Sequence, residues 1–356
     1  MTHLQKFQGE LKEQGAAALI SSDANILYLS GVSFDDGYLL IFPDAAYLLT
    51  DFRYSEAAER QADRGFTVLC PNGSMLGAIR ELSQAHGATN LLIEENNLTV
   101  SVFDKLAGEL APMMLAHGAT EMLSRLRMYK DEAEIAAIKE AQRITDAAFT
   151  HILGFIRPHV RELDVALELE FFMRRMGACG IAFDTIAVSG GASALPHGVP
   201  RDRKLEKGFL TMDFGARYQG YCADMTRTVV IGSADCEMKR LYRTVLAAQE
   251  AALDYIGSGI FCSAVDKVAR DIIEKSGYKG CFGHALGHGV GIDVHEAPRL
   301  SARAGDAVLA AGHVVTVEPG IYLTGKYGCR IEDLVVIGED GRAENLTASQ
   351  KELIEL

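Results

Sequence analysis

Apolar and polar residues along this chain switch repeatedly between a helical period and a strand period. Leu4 to Gln14 has the spacing of an amphipathic helix, and Ala16 to Ile20 reads as a buried strand behind it. Gly37 to Phe42 and Tyr47 to Thr50 alternate as strands and are joined through Pro43-Asp44, which predicts a hairpin. Further strands are expected at Phe66 to Cys70 and Asn90 to Glu94, with helices at Met75 to His86 and Ser101 to Leu110. The pattern predicts a small α/β domain over residues 1–122. Asp51, Arg53 and Tyr54 cluster beside a strand end, the composition of a solvated loop.

Residues 123–356 form the expected second domain, with the junction running through Ser124 to Lys130. A long helix opens there, with Asp131 and Glu134 at capping-box spacing and Ile135, Ile138, Ala141, Ala148 and Ile152 along one face. Pro158 is expected to end it or to follow its end closely. Helices are also expected at Leu163 to Met176 (stopped by Gly177), Met238 to Tyr255 and Ser263 to Lys275, interleaved with strands.

The segment Leu210 to Thr228 reads as a β-hairpin turning at Gln219-Gly220. A two-residue turn sets Tyr218 opposite Tyr221, Asp213 opposite Thr226 and Gly215 opposite Asp224. Side chains alternate with period two, so Asp213 and Asp224 project from one face as diagonal neighbours. One such aspartate would ordinarily be a solvated surface residue. Here Leu210, Met212, Phe214, Met225, Val229 and Val230 surround both positions with apolar residues. Two carboxylates in that setting repel unless a cation or a shared proton lies between them. A metal site fits better than a surface.

More candidate ligands follow. His284, His288 and His295 lie in a glycine-rich run whose bare backbone permits close approach. Glu318 ends a β-branched strand before Pro-Gly, and Glu332 falls inside an apolar strand, where a lone carboxylate is costly to bury. Each alone is weak evidence, because an isolated strand glutamate is usually half-exposed and a lone histidine usually a hydrogen-bonded core residue.

Taken in order, the motifs are specific. Asp213 in Met-Asp-Phe-Gly, Asp224 in Ala-Asp-Met-Thr-Arg-Thr, His288 in Gly-His-Gly-Val-Gly, Glu318 in Val-Glu-Pro-Gly-Ile-Tyr and Glu332 in Arg-Ile-Glu-Asp resemble the pita-bread metallopeptidases, peptidase family M24. The likeness is nearest to the Xaa-Pro peptidases, prolidase and aminopeptidase P. Phe183 to Gly190 with Ala194 to Gly198 resembles that family's substrate-side segment, and Val294 to Pro298 its second histidine motif. The resemblance spans the chain but is specific only from about Phe183 onward.

The resemblance implies an α/β N-terminal domain followed by an α+β pita-bread (creatinase/aminopeptidase-like) catalytic domain, a curved antiparallel sheet backed by helices in pseudo-twofold halves. It implies two divalent metal ions. Asp224 and Glu332 would bridge them, Asp213 would chelate one, and His288 with Glu318 would hold the other. The oxygen-rich set favours Mn²⁺, with Co²⁺, Fe²⁺ or Zn²⁺ as alternatives, over a thiolate-type structural zinc. A shared hydroxide would attack the scissile carbonyl, with Glu318 also handling the proton as general base. His197 and His295 would bind substrate and stabilise the oxyanion. His284 would support the ligands and touch substrate, and Arg330 would anchor a charged substrate terminus or orient carboxylates. The implied substrate is a small peptide with proline at its second position, and the implied assembly a homodimer. In that family the N-terminal domain of one subunit can reach a neighbouring active site. Whether the substrate is a dipeptide or a longer chain stays open. A thiol at Cys329, where an apolar β-branched residue would be more usual, could make activity oxidant-sensitive.

Composition narrows the alternatives. Forty-eight per cent hydrophobic and 23% charged residues describe an ordinary globular chain, and a net charge of −13 argues against nucleic acid or an anionic membrane as partner. Seven cysteines without a Cys-x-x-Cys pair read as reduced, mostly buried thiols. With no signal-peptide core and no membrane-length apolar run, a cytoplasmic protein is expected. A creatinase-like hydrolase of the same architecture, or a non-catalytic peptide-binding module on it, would not need all five ligands. A methionine aminopeptidase would not normally carry the extra N-terminal domain. No glycine-rich phosphate loop follows a first strand, which sets nucleotide-binding folds aside.

Overall fold

The computed structural model describes residues 1–34, 36–62, 65–157 and 159–356. The expected helix stop at Pro158 lies outside them. Two compact units divide the chain, Met1–Arg127 and Met128–Leu356.

In the first unit a mixed six-stranded sheet has Ala17–Ile20 near its middle. That strand pairs antiparallel with Gly37–Ile41 and parallel with Asn90–Ile93. Gly37–Ile41 continues into the expected hairpin with Ala46–Thr50. The opening helix is His3–Gln14, capped by Thr2 in a full capping box and ended by Gly15 in the left-handed region at φ 61°. Its Leu4, Phe7 and Leu11 are buried, as the periodicity requires. Asp51 and Arg53 bond to each other at 2.6 Å on the surface, a solvated pair as expected.

The second unit repeats one arrangement, a helix pair laid on antiparallel strands. The helices Glu132–Phe155 and Glu162–Arg175 close one core over Leu210, Met212, Phe214 and Met225. The helices Cys236–Tyr255 and Cys262–Ile273 close a second over Val315, Val317, Ile331 and Val335. The predicted capping box is present: Asp131 accepts from the amides of Ala133 and Glu134, while the Glu134 carboxylate accepts from the Asp131 amide. Facing the helices are the sheets built on Gly208–Phe214 and on Val314–Val317. Among the described residues no helix is long and apolar enough to cross a membrane.

The cysteines depart from expectation. Cys222, Cys262 and Cys329 are buried, but Cys70, Cys179 and Cys236 are exposed, so "mostly buried" is wrong for this chain.

Candidate metal centre

The hairpin has the register its turn predicts. Tyr218 pairs with Tyr221, Asp213 with Thr226, and Gln219 and Gly220 both take positive φ, 49° and 87°. That type I′ geometry matches the twist of the flanking strands. Between its two ladders, Gly215, Ala223 and Asp224 leave regular strand geometry. A Cβ on Gly215 would lie 1.8 Å from the Ala223 carbonyl oxygen, so only glycine fits. Asp224 is thereby carried inside, 5% exposed.

His288 occupies the short strand Gly287–Gly289, between Glu296–Leu300 and Val314–Val317. Its flanking glycines are forced: a Cβ at Gly287 would meet the Thr316 carbonyl oxygen at 2.0 Å, and one at Gly289 the Ala297 carbonyl oxygen at 2.3 Å. His288 Nδ1 lies 3.1 Å from the Gly289 carbonyl oxygen, which can only accept, so Nδ1 carries the proton. Nε2 is left with its lone pair, 3.4 Å from Glu318 and 3.5 Å from Asp224. Glu318 follows Val314–Val317 directly, and its amide donates to the Leu286 carbonyl at 2.8 Å. Glu332 is not inside a strand, as its apolar neighbours suggested. It lies in the gap between Tyr327–Arg330 and Asp333–Ile337, which belong to different sheets. Its amide donates to the Thr226 carbonyl, tying it to the hairpin.

These residues share one cavity of about 820 Å³. Ligand atoms of Asp224, His288 and Glu332 all lie within 4.8 Å of one another. The donor set fits cations and is poorly satisfied without them. Burial, then the charges of Glu332, Asp213 and Glu318, hold Asp224 well above the usual carboxylate range. Burial, then Glu318 and Asp213, do the same to Glu332. Asp213 Oδ1 is buried with no hydrogen-bond partner. Clustered carboxylates and an orphaned oxygen are what divalent ions compensate.

The four other expected residues line the same cavity, so all nine candidates converge. His197 and His295 present exposed side chains to it, and the His295 ring meets His288 edge-on at 4.3 Å. His284 donates from Nδ1 to its neighbour Ala285 O at 2.8 Å, leaving Nε2 to accept from the Tyr322 hydroxyl at 3.0 Å. Arg330 is buried. It donates to Asp213 Oδ2 at 2.6 Å, to Tyr322 at 2.7 Å and to Thr226 Oγ1 at 2.9 Å, and Thr226 in turn donates to Glu332 at 2.7 Å.

Known proteins place this geometry. The chain matches metallopeptidase family M24 over residues 136–339 and the creatinase/prolidase N-terminal domain over residues 3–129. The chain belongs to metallopeptidase family M24. An Xaa-Pro dipeptidase of Pyrococcus horikoshii is 36% identical over 345 residues, covering 95% of this chain and 94% of that protein. The solved structure of an Xaa-Pro dipeptidase from Bacillus anthracis matches with TM-score 0.94 at 40% identity over 99% of both chains. An X-Pro aminopeptidase structure from Thermotoga maritima matches with TM-score 0.89 at 38% identity, covering 96% of this chain and 97% of that one. The expected family and pita-bread fold are therefore borne out, and M24 membership implies divalent metal ions.

One residue of this M24 site was not anticipated, and one expectation beside it fails. Tyr322 links His284 to Arg330, yet the sequence marks it only as a residue of the Glu-Pro-Gly-Ile-Tyr run. Cys329 is fully buried in the apolar core, and burial pushes its thiol up to about 12. The expected oxidant sensitivity is a misreading, because strand alternation turns Cys329 away from the cavity that Arg330 lines.

Proposed function

We propose that this chain is a dinuclear-metal exopeptidase hydrolysing the bond between an N-terminal residue and a following proline. The convergence of Asp213, Asp224, His288, Glu318 and Glu332 on one cavity is the observation that carries the reading. Asp213, Asp224, His288, Glu318 and Glu332 would together hold the ions. Mn²⁺ suits this oxygen-rich set best. When bound, the ions supply an activated water and polarise the scissile carbonyl.

The chain's own groups do the rest. Glu318 takes a proton from the attacking water at a carboxylate oxygen. His197 and His295 stand exposed in the cavity, free to donate to the substrate carbonyl and to the oxyanion that forms from it. Arg330 holds Asp213 in place by their 2.6 Å ion pair. The Xaa-Pro dipeptidase and X-Pro aminopeptidase relatives support a peptide with proline second. The enzyme is read as a cytoplasmic homodimer, which a sedimentation mass equal to the 38.6 kDa chain would refute.

The deciding experiment is hydrolysis of Ala-Pro, Gly-Pro and Ala-Pro-Ala by chelator-stripped protein with Mn²⁺, Co²⁺ or Zn²⁺ restored. Metal-dependent cleavage of dipeptides alone means prolidase, and cleavage of the tripeptide means aminopeptidase P. Folded protein that cleaves none of them with any metal refutes the proposal.

A further inference from the structure

Another ion pair of this unit, a buried glutamate with an arginine whose side chain is 34% exposed, touches none of the candidate metal ligands. Glu162 opens the helix Glu162–Arg175 with a side chain 0% exposed. Its carboxylate accepts from the Ser189 amide and hydroxyl, both at 2.7 Å, and from the Arg201 amide at 3.0 Å. It also takes both prongs of the Arg201 guanidinium, Nε at 2.8 Å and Nη2 at 2.6 Å. Main-chain bonds reinforce the grip: the amides of Glu162 and Leu163 donate to the carbonyls of Arg203 and Arg201, and Leu205 donates to Val160.

The same stretch of chain is fastened a second time, near the metal centre. Arg330 Nη1 donates to the Pro196 carbonyl at 3.3 Å. A Cβ on Gly198 would lie 2.9 Å from Val188 Cγ1, so the backbone beside it rests on the strand Ile186–Ser189. Between the two fastenings stands His197, its side chain exposed. A solvated imidazole has little packing of its own, so its location is inherited from the backbone on either side.

We propose that Arg201, gripped by Glu162, is a positioning residue that aims His197 at the substrate carbonyl. The inference rests on the reading of His197 as an oxyanion donor given above. A two-pronged guanidinium–carboxylate pair fixes direction as well as distance, and a lysine at the same place supplies only a point charge. Glu162 also holds Ser189 at the end of the strand under Gly198, so one carboxylate sets both the floor and the far end of the His197 segment.

The test is a double-mutant cycle with Arg201→Ala, Arg201→Lys and His197→Ala, read as kcat and KM on Ala-Pro with metal content measured in each protein. Hydrogen exchange across residues 190–204 is followed in parallel on metal-free protein. Arg201→Ala should lower kcat between about 10- and 100-fold, the cost of an ångström-scale misplacement, with metal content kept. It should also speed exchange in the His197 segment. Arg201→Lys should recover only part of the rate, and it keeps the measurement possible if the alanine variant folds poorly. In a His197→Ala background, Arg201→Ala should cause no further loss, because its only route to the chemistry is gone.

Rate losses that multiply in the double variant, or parental kcat and exchange in Arg201→Ala, overturn the proposal while leaving His197's role intact. Parental turnover in His197→Ala overturns that role, and the positioning function with it.

Discussion

Replacing Glu318 by glutamine should stabilise the metal-free protein and weaken the metal-loaded one. The Glu318 side chain is 16% exposed. Burial, opposed by Arg330 and reinforced by Asp213, pushes its carboxyl up from 4.5 to about 8. A carboxyl whose folded pKa is raised favours folding fully below its unfolded pKa, and that advantage is lost as pH rises toward the folded value. At neutral pH the unfolded chain ionises Glu318 while the folded chain largely does not, across about 2.5 pH units. At about 1.36 kcal/mol per unit this is roughly 3 kcal/mol against folding. Glutamine keeps the shape and has no proton to lose, though its amide must still be desolvated, so about 2 kcal/mol should be recovered. For a unit of this size that raises Tm by about 4–8 °C. Scanning calorimetry of chelator-treated protein between about pH 4.5 and 8 measures it. The gain should be absent at the acid end and grow toward the alkaline end. Added Mn²⁺ should reverse the order, because a neutral amide binds the ion less well and forfeits part of the binding stabilisation, about 2.7 kcal/mol at a hundredfold excess over Kd. A metal-free Glu318→Gln protein no more stable than its parent at neutral pH, or a gain that ignores pH, would refute the picture of a strained carboxylate cluster.

Other consequences are equally open to measurement. Asp224→Asn or Glu332→Gln should abolish peptide cleavage and lower metal content, whereas His197→Ala or His295→Ala should slow turnover with metal retained. Loss of metal from the histidine variants would overturn that division of labour. Arg227 is 2% exposed in its side chain, pairs with Asp333 at 2.7 Å and donates to the Glu332 carbonyl at 2.6 Å. Arg227→Met should cost about 3 kcal/mol, the lower end for a broken buried pair, because Lys351 and Asn345 still reach Asp333. Urea unfolding that shows less than about 1 kcal/mol would contradict this reading. Burial, then Lys130, holds His313 down to about 4. The unfolded chain therefore takes up that proton first, and stability should fall by up to roughly 3 kcal/mol as pH drops from about 6.5 to 4. His313→Asn, compared with its parent over that range, should remove the slope.

What could be read from the sequence divides along physical lines. The five candidate ligand positions were legible through the family resemblance of their motifs taken in order, and the hairpin register follows from its two-residue turn. The Asp131 cap was equally local. Elements without a local signature were missed. The helix Asp23–Ser30 buries Asn25, Ile26, Tyr28, Leu29 and Ser30, and a helix enclosed on most sides shows no amphipathic stripe. The strand Met114–His117 is exposed at both ends, so no apolar alternation announced it. Ser124 to Lys130 read as the junction, yet most of it belongs to the helix Ala119–Met128, whose Arg127 donates to Asn25 Oδ1 at 2.9 Å, a partner 102 residues away. Tyr322 escaped for the same reason: its bond to His284 joins residues 38 apart. Contacts of that range leave no mark on a periodicity.

The turn at Gln219-Gly220 has a practical consequence. Strand pairs are counted outward from Tyr218 and Tyr221, so Asp213, paired with Thr226, and Asp224, held between the two ladders, take their positions from the pairing and not from the tip. Gln219 is exposed. A peptide tag or fluorescent reporter spliced between Gln219 and Gly220 would leave the pairing below it untouched and stand on the hairpin that carries Asp213 and Asp224. A single residue inserted one step lower, between Asp213 and Tyr218, would turn Asp213 to the opposite side of the sheet. The same hairpin thus offers a tolerant attachment point at its tip and an unforgiving ruler along its arms.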